Sequence, residues 1–117
     1  VKRKHHELRV WQAAMALVGD VYALSGTFPR EEAFGLTSQM RRAAISVPSN
    51  IAEGAARATR KEFLHFLHVA RGSLSELETQ YLIARQLGYV AAVATFEERV
   101  EEVFGLLGGL IQSQKPD

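Results

Sequence analysis

The chain of 117 residues has no cysteine and only three prolines. Without thiols there is no disulfide, no thiolate nucleophile and no Cys-based zinc site. Long apolar runs are also missing, and no stretch approaches the roughly 20 residues of a membrane span. The start, "VKRKHHELRVW", carries neither a secretory h-region nor a small-residue cleavage site. It opens on Val rather than Met, which leaves the native N-terminus open. Neither sign of charge dominates, since the net charge is +1. No glycine-rich phosphate loop exists either, because Gly105, Gly108 and Gly109 fall late in a helical pattern, not between a strand and a helix. These absences set the expectation of a cytoplasmic protein with no membrane segment, no cofactor and no metal.

What remains is ordinary globular usage, 47% hydrophobic and 23% charged, in a length that suits one domain over residues 1–117. No convincing strand alternation occurs, so the expected class is all-α. Apolar periodicity predicts helices over about 7–25, 36–58, 60–87 and 95–112. In the first, Leu8, Trp11, Met15, Val18 and Tyr22 form one stripe, and Val10, Leu17, Val21 and Leu24 a second beside it. Together they cover roughly 220° of the helix, more than the ~100° that a surface helix needs. Such a helix either sits at the centre of a bundle or has a second face buried in an oligomer. The second helix buries Leu36, Met40, Ala44, Val47, Ile51 and Ala55, mostly small residues that permit close approach.

The third helix opens with a capping box, Thr59 and Glu62, carries Phe63, Leu67, Ala70, Leu74, Leu77 and Tyr81 on one face, and stops at Gly88. A second capping box, Thr95 and Glu98, is expected to open the fourth helix. Its apolar face is Phe96, Val100, Val103, Phe104, Leu107, Leu110 and Ile111. Its three glycines each cost up to about 1 kcal/mol of helix propensity, so its last turns are expected to fray. Short connections between long helices favour an up-down-up-down antiparallel four-helix bundle.

"SVPSNIAEG", residues 46–54, interrupts this pattern with a proline. Pro48 removes a backbone hydrogen bond and crowds the carbonyl of Ala44. The apolar stripe continues in phase from Val47 to Ile51, which favours a helix kinked at Pro48 but continuous. The alternative is a break, with Asn50 and Glu53 capping a new helix. On one flank of this helix lie Gln39, Arg42, Ser46, Ser49, Asn50, Glu53 and Arg57. That line reads either as a solvated face or as a hydrogen-bonded polar seam of Arg42, Ser46, Ser49, Asn50 and Glu53 against another helix or subunit. A nucleophilic Ser46 or Ser49 would need a base oriented by a third group, and no nucleophile-elbow pattern is present.

These residues also carry a resemblance. "HELRVWQAAMALV", "FGLTSQMRRAAISVPSNIAEGAAR" and "KEFLHFLHVARGSLSELETQ" are similar to the 23S rRNA-intervening-sequence protein family of small bacterial four-helix proteins. The similarity spans about residues 6–90, and the fourth helix matches only in general character. The resemblance implies a four-helix bundle that assembles as a ring, with a pentamer known in the wider family and no established enzymatic activity. A related branch resembles the accessory protein of diversity-generating retroelements, which binds nucleic acid and a reverse transcriptase.

Candidate chemistry is sparse. Glu62 and His65 form a single Glu-x-x-His pair, whereas di-iron bundles need two such pairs and two further glutamates facing inward. His65 lies about 155° from the centre of its helix's apolar face and is expected to face solvent. His65 with His68, or His5 with His6, supplies two ligands at most. Charge placement says more. Residues 41–71 carry Arg41, Arg42, Arg57, Arg60, Lys61 and Arg71 against Glu53 and Glu62, a net +4. Residues 72–102 carry Arg85 and Arg99 against Glu76, Glu78, Glu97, Glu98, Glu101 and Glu102, a net −4. In the expected topology Lys2, Arg3, Lys4, Arg57, Arg60 and Lys61 gather at one end of the bundle. Glu31, Glu32, Glu97, Glu98, Glu101 and Glu102 gather at the other.

The expected function is therefore a non-catalytic, self-associating scaffold that contacts RNA or DNA without reading sequence. Arg57, Arg60 and Lys61 would be the first phosphate contacts, with His65, His68 and Arg71 extending the patch. The rival reading is a protein-interaction module whose apolar arc and polar seam bind a protein partner, with the charges giving only solubility.

Overall fold

The structure, a computed structural model, describes residues 3–116. A 3-10 turn, Lys4–Glu7, leads into α1, Arg9–Ser25. A second 3-10 turn, Arg30–Glu32, precedes α2, Leu36–Ala55, which is followed by α3, Arg60–Gln86, and α4, Ala94–Gln114. The described residues contain no strand, so the chain is an all-α four-helix bundle. Four contacts fix the helix directions. The end of α1 meets the start of α2, where Arg41 Nε donates to Ser25 Oγ at 2.8 Å. The end of α2 meets the start of α3, where Gly54 abuts Phe63 and Phe66. The end of α3 meets the start of α4, where Tyr81 Oη donates to Glu97 at 2.6 Å. The end of α1 meets the start of α4, where Arg99 Nε donates to Asp20 at 3.1 Å. Neighbours are antiparallel all round the bundle. At about 1.5 Å per residue, α3 runs most of the 46 Å long axis.

The core is a single cluster in which Leu17, Met40, Ile51, Leu67, Leu74, Leu77 and Leu107 are fully buried. The expected faces of α2, α3 and α4 supply it, with Leu36, Ala55, Phe63, Phe104 and Leu110 only half-buried. In α1 the two stripes part company. Val10, Ala14, Leu17 and Val21 enter the core, while Met15 and Tyr22, on the other stripe, remain 48% and 43% exposed. Within one chain, that stripe of α1 is thus only partly covered, with Leu8, Trp11 and Val18 half-buried against the core.

Several expectations about helix ends need correction. The second helix stops at Ala55, not near residue 58. Thr95 does not cap the fourth helix, which opens one residue earlier after Val93 and without a side-chain cap. The Val93 N–H is satisfied from the core instead, donating to Tyr81 Oη at 2.9 Å. Nor does α4 fray at its glycines; it continues to Gln114, because Leu107 and Ile111 anchor that segment in the core. Two other signals behave as expected. The Thr59 hydroxyl accepts the Glu62 N–H at 3.1 Å, although Glu62 answers by accepting the hydroxyl proton and not the Thr59 N–H. Gly88 takes φ +78, and Tyr89 N–H and Gly88 N–H return to the carbonyls of Ala84 and Arg85. That is a Schellman ending, open to glycine because it lacks Cβ.

Pro48 is buried inside a continuous α2, so no new helix starts at Asn50. The far end of the motif presses α2 against α3. A Cβ on Gly54 would sit 2.8 Å from Phe66 Cβ and 3.0 Å from Phe63 Cδ1. Two helices therefore approach within the space of a single hydrogen atom side chain, and α2 is pressed onto the start of α3.

The other end of the bundle is tied by a carboxylate. Glu32 Oε1 accepts the Leu36 N–H at 3.0 Å, and Glu32 Oε2 accepts from Tyr89 Oη at 2.8 Å. One side chain thus caps α2 and holds the α3–α4 connection. The Leu36 hydrogen bond first, and then the Tyr89 one, hold the Glu32 carboxyl below its ordinary value, and the bond to Glu32 raises that of the Tyr89 phenol.

Two outcomes follow from the packing. Gly54→Ala will lower stability by about 1–3 kcal/mol in denaturant unfolding, because the overpacking cost exceeds the helix-propensity gain of about 1 kcal/mol. Gly105→Ala, with nothing within 4 Å of its Cβ, will instead gain roughly 0.5–1 kcal/mol. A third outcome concerns pH. A depressed carboxyl stabilises the fold above its unfolded pKa, and that contribution is lost as pH falls through the lower folded value. Thermal unfolding followed from neutral pH to below the ordinary carboxylate range will therefore show a shallower acid loss of stability in Glu32→Gln than in the natural chain.

Candidate functional site

The α2–α3 turn, the N-terminal 3-10 turn and the end of α4 converge at one end of the bundle. They enclose a cleft of about 370 Å³. Lys4, Arg57 and Arg60 stand at its edge, and Gln114 places the α4 terminus, followed by Lys115, beside them. Lys61 lies one residue into the same turn of α3, exposed. Lys2 lies outside the described residues. Carboxylates are present here too, in Glu7, Glu53 and Glu62, but the cations outnumber them.

The two ends of the bundle treat their arginines differently. At the acidic end, Arg99 bridges Asp20 at 3.1 Å and Glu102 at 3.5 Å, and Arg85 meets Glu97 at 3.6 Å. Arg41 is spent on structure as well: besides Ser25 it reaches the Tyr22 carbonyl at 3.4 Å and covers the Tyr22 ring. At the basic end, among the described residues, only Arg57 pairs with a carboxylate, Glu53 at 3.0 Å, and its guanidinium lies 4.9 Å above the Phe66 ring. Among the described residues Lys4, Arg60 and Lys61 make no ion pair with a carboxylate. Two of them sit at the start of α3, where the helix dipole disfavours positive charge.

His65, His68 and Arg71 continue from this end along the exposed side of α3. At 1.5 Å per residue, Arg71 is about 15 Å beyond Lys61. Arg71 Nη2 lies 3.0 Å from His68 Nδ1. Arginine can only donate, so that nitrogen accepts. His65 packs edge-on against Phe66 and faces solvent. Among the described residues no group of three or more His, Asp or Glu side chains is placed to hold a metal.

The polar flank of α2 divides into two. Ser46 Oγ lies 2.8 Å from Ser73 Oγ of α3, and Asn50 Nδ2 donates to Ser46 Oγ at 2.9 Å and to the Ser46 carbonyl at 2.8 Å. This is a small hydrogen-bonded seam between two helices of the same chain. Its α3 partner, Ser73, carries no signal in the sequence, because a serine one step off an apolar face is ordinary there. Arg42, Ser49 and Glu53 remain on the exposed side. The partners of Ser46 are a hydroxyl and an amide, neither of which is a general base.

Two other surfaces are open. A hollow of about 500 Å³ lies beside Asp20, Tyr89 and Phe96 at the acidic end. Two of its polar groups are already engaged, Asp20 with Arg99 and Tyr89 with Glu32. Between α1 and α2 a mainly apolar groove of about 330 Å³ is lined by Trp11, Met15, Val18, Ile45, Pro48 and Ala52. Phe34, in the α1–α2 connection, is 99% exposed. Among the described residues no helix is long and apolar enough to cross a membrane.

Removing the seam's hydroxyls will reveal whether they act as a unit. Ser46→Ala is expected to cost about 1 kcal/mol by orphaning its partners. Ser46→Ala with Ser73→Ala will cost less than the two single losses added together. Urea unfolding of the three variants measures this.

Comparison with known proteins agrees with this architecture. A family model described as 23S rRNA-intervening sequence protein matches residues 6–109. The match thus continues past residue 90 into α4, farther than the sequence blocks themselves carry it. No curated protein matches the chain.

Proposed function

The chain belongs to the 23S rRNA-intervening sequence protein family, and from that premise we propose that it is a non-catalytic, self-associating scaffold that binds RNA or DNA through the basic end of the bundle. One observation carries the reading. Among the described residues Lys4, Arg60 and Lys61 of that end have no carboxylate partner and only Arg57 is paired, with Glu53, while Arg85 and Arg99 of the opposite end are both bridged. Folding has no use for Arg60 and Lys61 at a helix start, where they oppose the dipole. A polyanion does: each phosphate neutralised releases condensed counterions, and the gain does not depend on base sequence. Arg57, Arg60 and Lys61 make the first contacts, and His65, His68 and Arg71 lengthen the track along α3.

The partly covered face of α1 supports self-association. Trp11, Met15 and Val18 form an apolar groove with Ile45 and Ala52, and exposed patches of this kind mark interaction surfaces. A second copy is the proposed occupant, in a homopentameric ring of the sort that the family resemblance implies, working in the cytoplasm. A ring with all subunits pointing one way multiplies the basic end and raises affinity through multivalency.

Both parts have a direct test. Fluorescence anisotropy against labelled RNA and DNA will show binding that weakens steeply with salt, and Arg60→Glu with Lys61→Glu will abolish it while the circular dichroism spectrum stays helical. Absence of binding at low salt, in folded and assembled protein, would overturn the reading and favour a protein-interaction module. Ile45→Arg, at a position 43% exposed in the single chain, will leave the fold intact and convert the assembly to monomers in light scattering.

A further inference from the structure

Phosphate binding leaves one feature of the basic end unused, the apolar floor of its cleft. Leu8, Phe63 and Leu110 come from three separate parts of the chain and are each half-buried there. Lys4, Arg57 and Arg60 surround them. A surface that only neutralises a duplex needs cations but no hollow, because a duplex keeps its bases stacked inside and offers nothing that could enter. A base turned out of a single strand has a flat apolar face and a phosphate on either side. That shape matches an apolar floor within a cationic rim. Base–aromatic stacking combined with a basic groove is a general solution for single strands.

The polar groups of the cleft point to tolerance of sequence. The Thr59 hydroxyl is committed at the helix cap, accepting the Glu62 N–H and donating to the Glu62 carboxylate. The Gln114 side-chain amide already donates to Ser113 Oγ. Among the described residues the uncommitted side-chain groups of the cleft, its cations aside, are the His5 ring and Gln114 Oε1, too few to read a base edge.

We propose that this cleft receives an unstacked nucleobase, so that the protein prefers single-stranded nucleic acid to duplex. The proposal rests on the nucleic-acid reading of the same end and adds the substrate class. Ala58 is exposed at the edge of the cleft, so Ala58→Leu fills the hollow and leaves every charge in place. Phe63→Leu keeps an apolar floor and removes the ring.

The test compares a labelled single strand, the same strand carrying abasic sites, and the duplex of equal length, each titrated by anisotropy at one low salt concentration. The single strand is expected to bind about tenfold more tightly than the other two. Ala58→Leu should bring it to the duplex level without changing duplex affinity, and Phe63→Leu should lower it severalfold, with thermal unfolding confirming that both variants fold. If one variant fails to fold, the other decides. Equal affinity for all three ligands, with the salt dependence intact, would overturn the base cleft and leave the basic-end reading standing. No binding to any of them would overturn both.

Discussion

The close approach of α2 and α3 at Gly54 is the constraint on which the rest of the molecule depends. A side chain of even one carbon at this position would collide with Phe63 and Phe66. Glycine costs helix propensity, and Pro48 six residues earlier costs a backbone hydrogen bond. Both losses fall in the last turns of α2, the part of the helix most exposed to unravelling. They are offset by burial of Val47, Pro48 and Ile51 and by the Ser46–Asn50–Ser73 seam. What reads in the sequence as a kink, or alternatively a break, is a joint at which one helix is clamped to the next.

That joint has a functional consequence through the turn it anchors. Arg57, Arg60 and Lys61 follow within a few residues of Gly54, and Phe63 and Phe66 serve both the joint and the surface around those cations. Phe66 lies under the Arg57 guanidinium, and Phe63 contributes to the cleft floor. A rigid α2–α3 contact therefore fixes the spacing of the charges that the proposed nucleic-acid role requires. At the opposite end the same economy takes another form, in which carboxylates are used up as caps and bridges: Glu32 on Leu36 and Tyr89, Glu97 on Tyr81, Asp20 on Arg99. The charge asymmetry visible in composition is thus partly structural at one end and largely unspent at the other.

The sequence makes the architecture legible because the helices of this bundle announce themselves by period. Leu67, Ala70, Leu74, Leu77 and Tyr81 are on the expected face, and Gly88 ends α3 by the expected motif. The errors arise where tertiary contacts outweigh local signals. Thr95 and Glu98 have the spacing of a capping box, yet the Val93 N–H finds its partner in Tyr81 across the bundle. Three glycines predict fraying, yet packing of Leu107 and Ile111 keeps α4 helical to Gln114. The wide apolar arc of α1 is visible in sequence, but only the packed chain separates the stripe that enters the core from the stripe left partly exposed. At the basic end the cations could be gathered from topology alone. Its apolar floor could not, because Leu8, Phe63 and Leu110 are ordinary core-type residues until three chain segments bring them beside Lys4 and Arg60.

Native-state hydrogen exchange tests the role of the joint most directly. If the Gly54 contact and the serine seam clamp α2 to α3, the amides around Ile51 on α2 and around Leu67 and Ala70 on α3 will exchange only through global unfolding, with the same free energy on both helices. Exchange of the segment after Pro48 through a separate opening of much lower free energy would contradict the account. It would mean that the end of α2 is a loose appendage and not the clamp that positions the basic end.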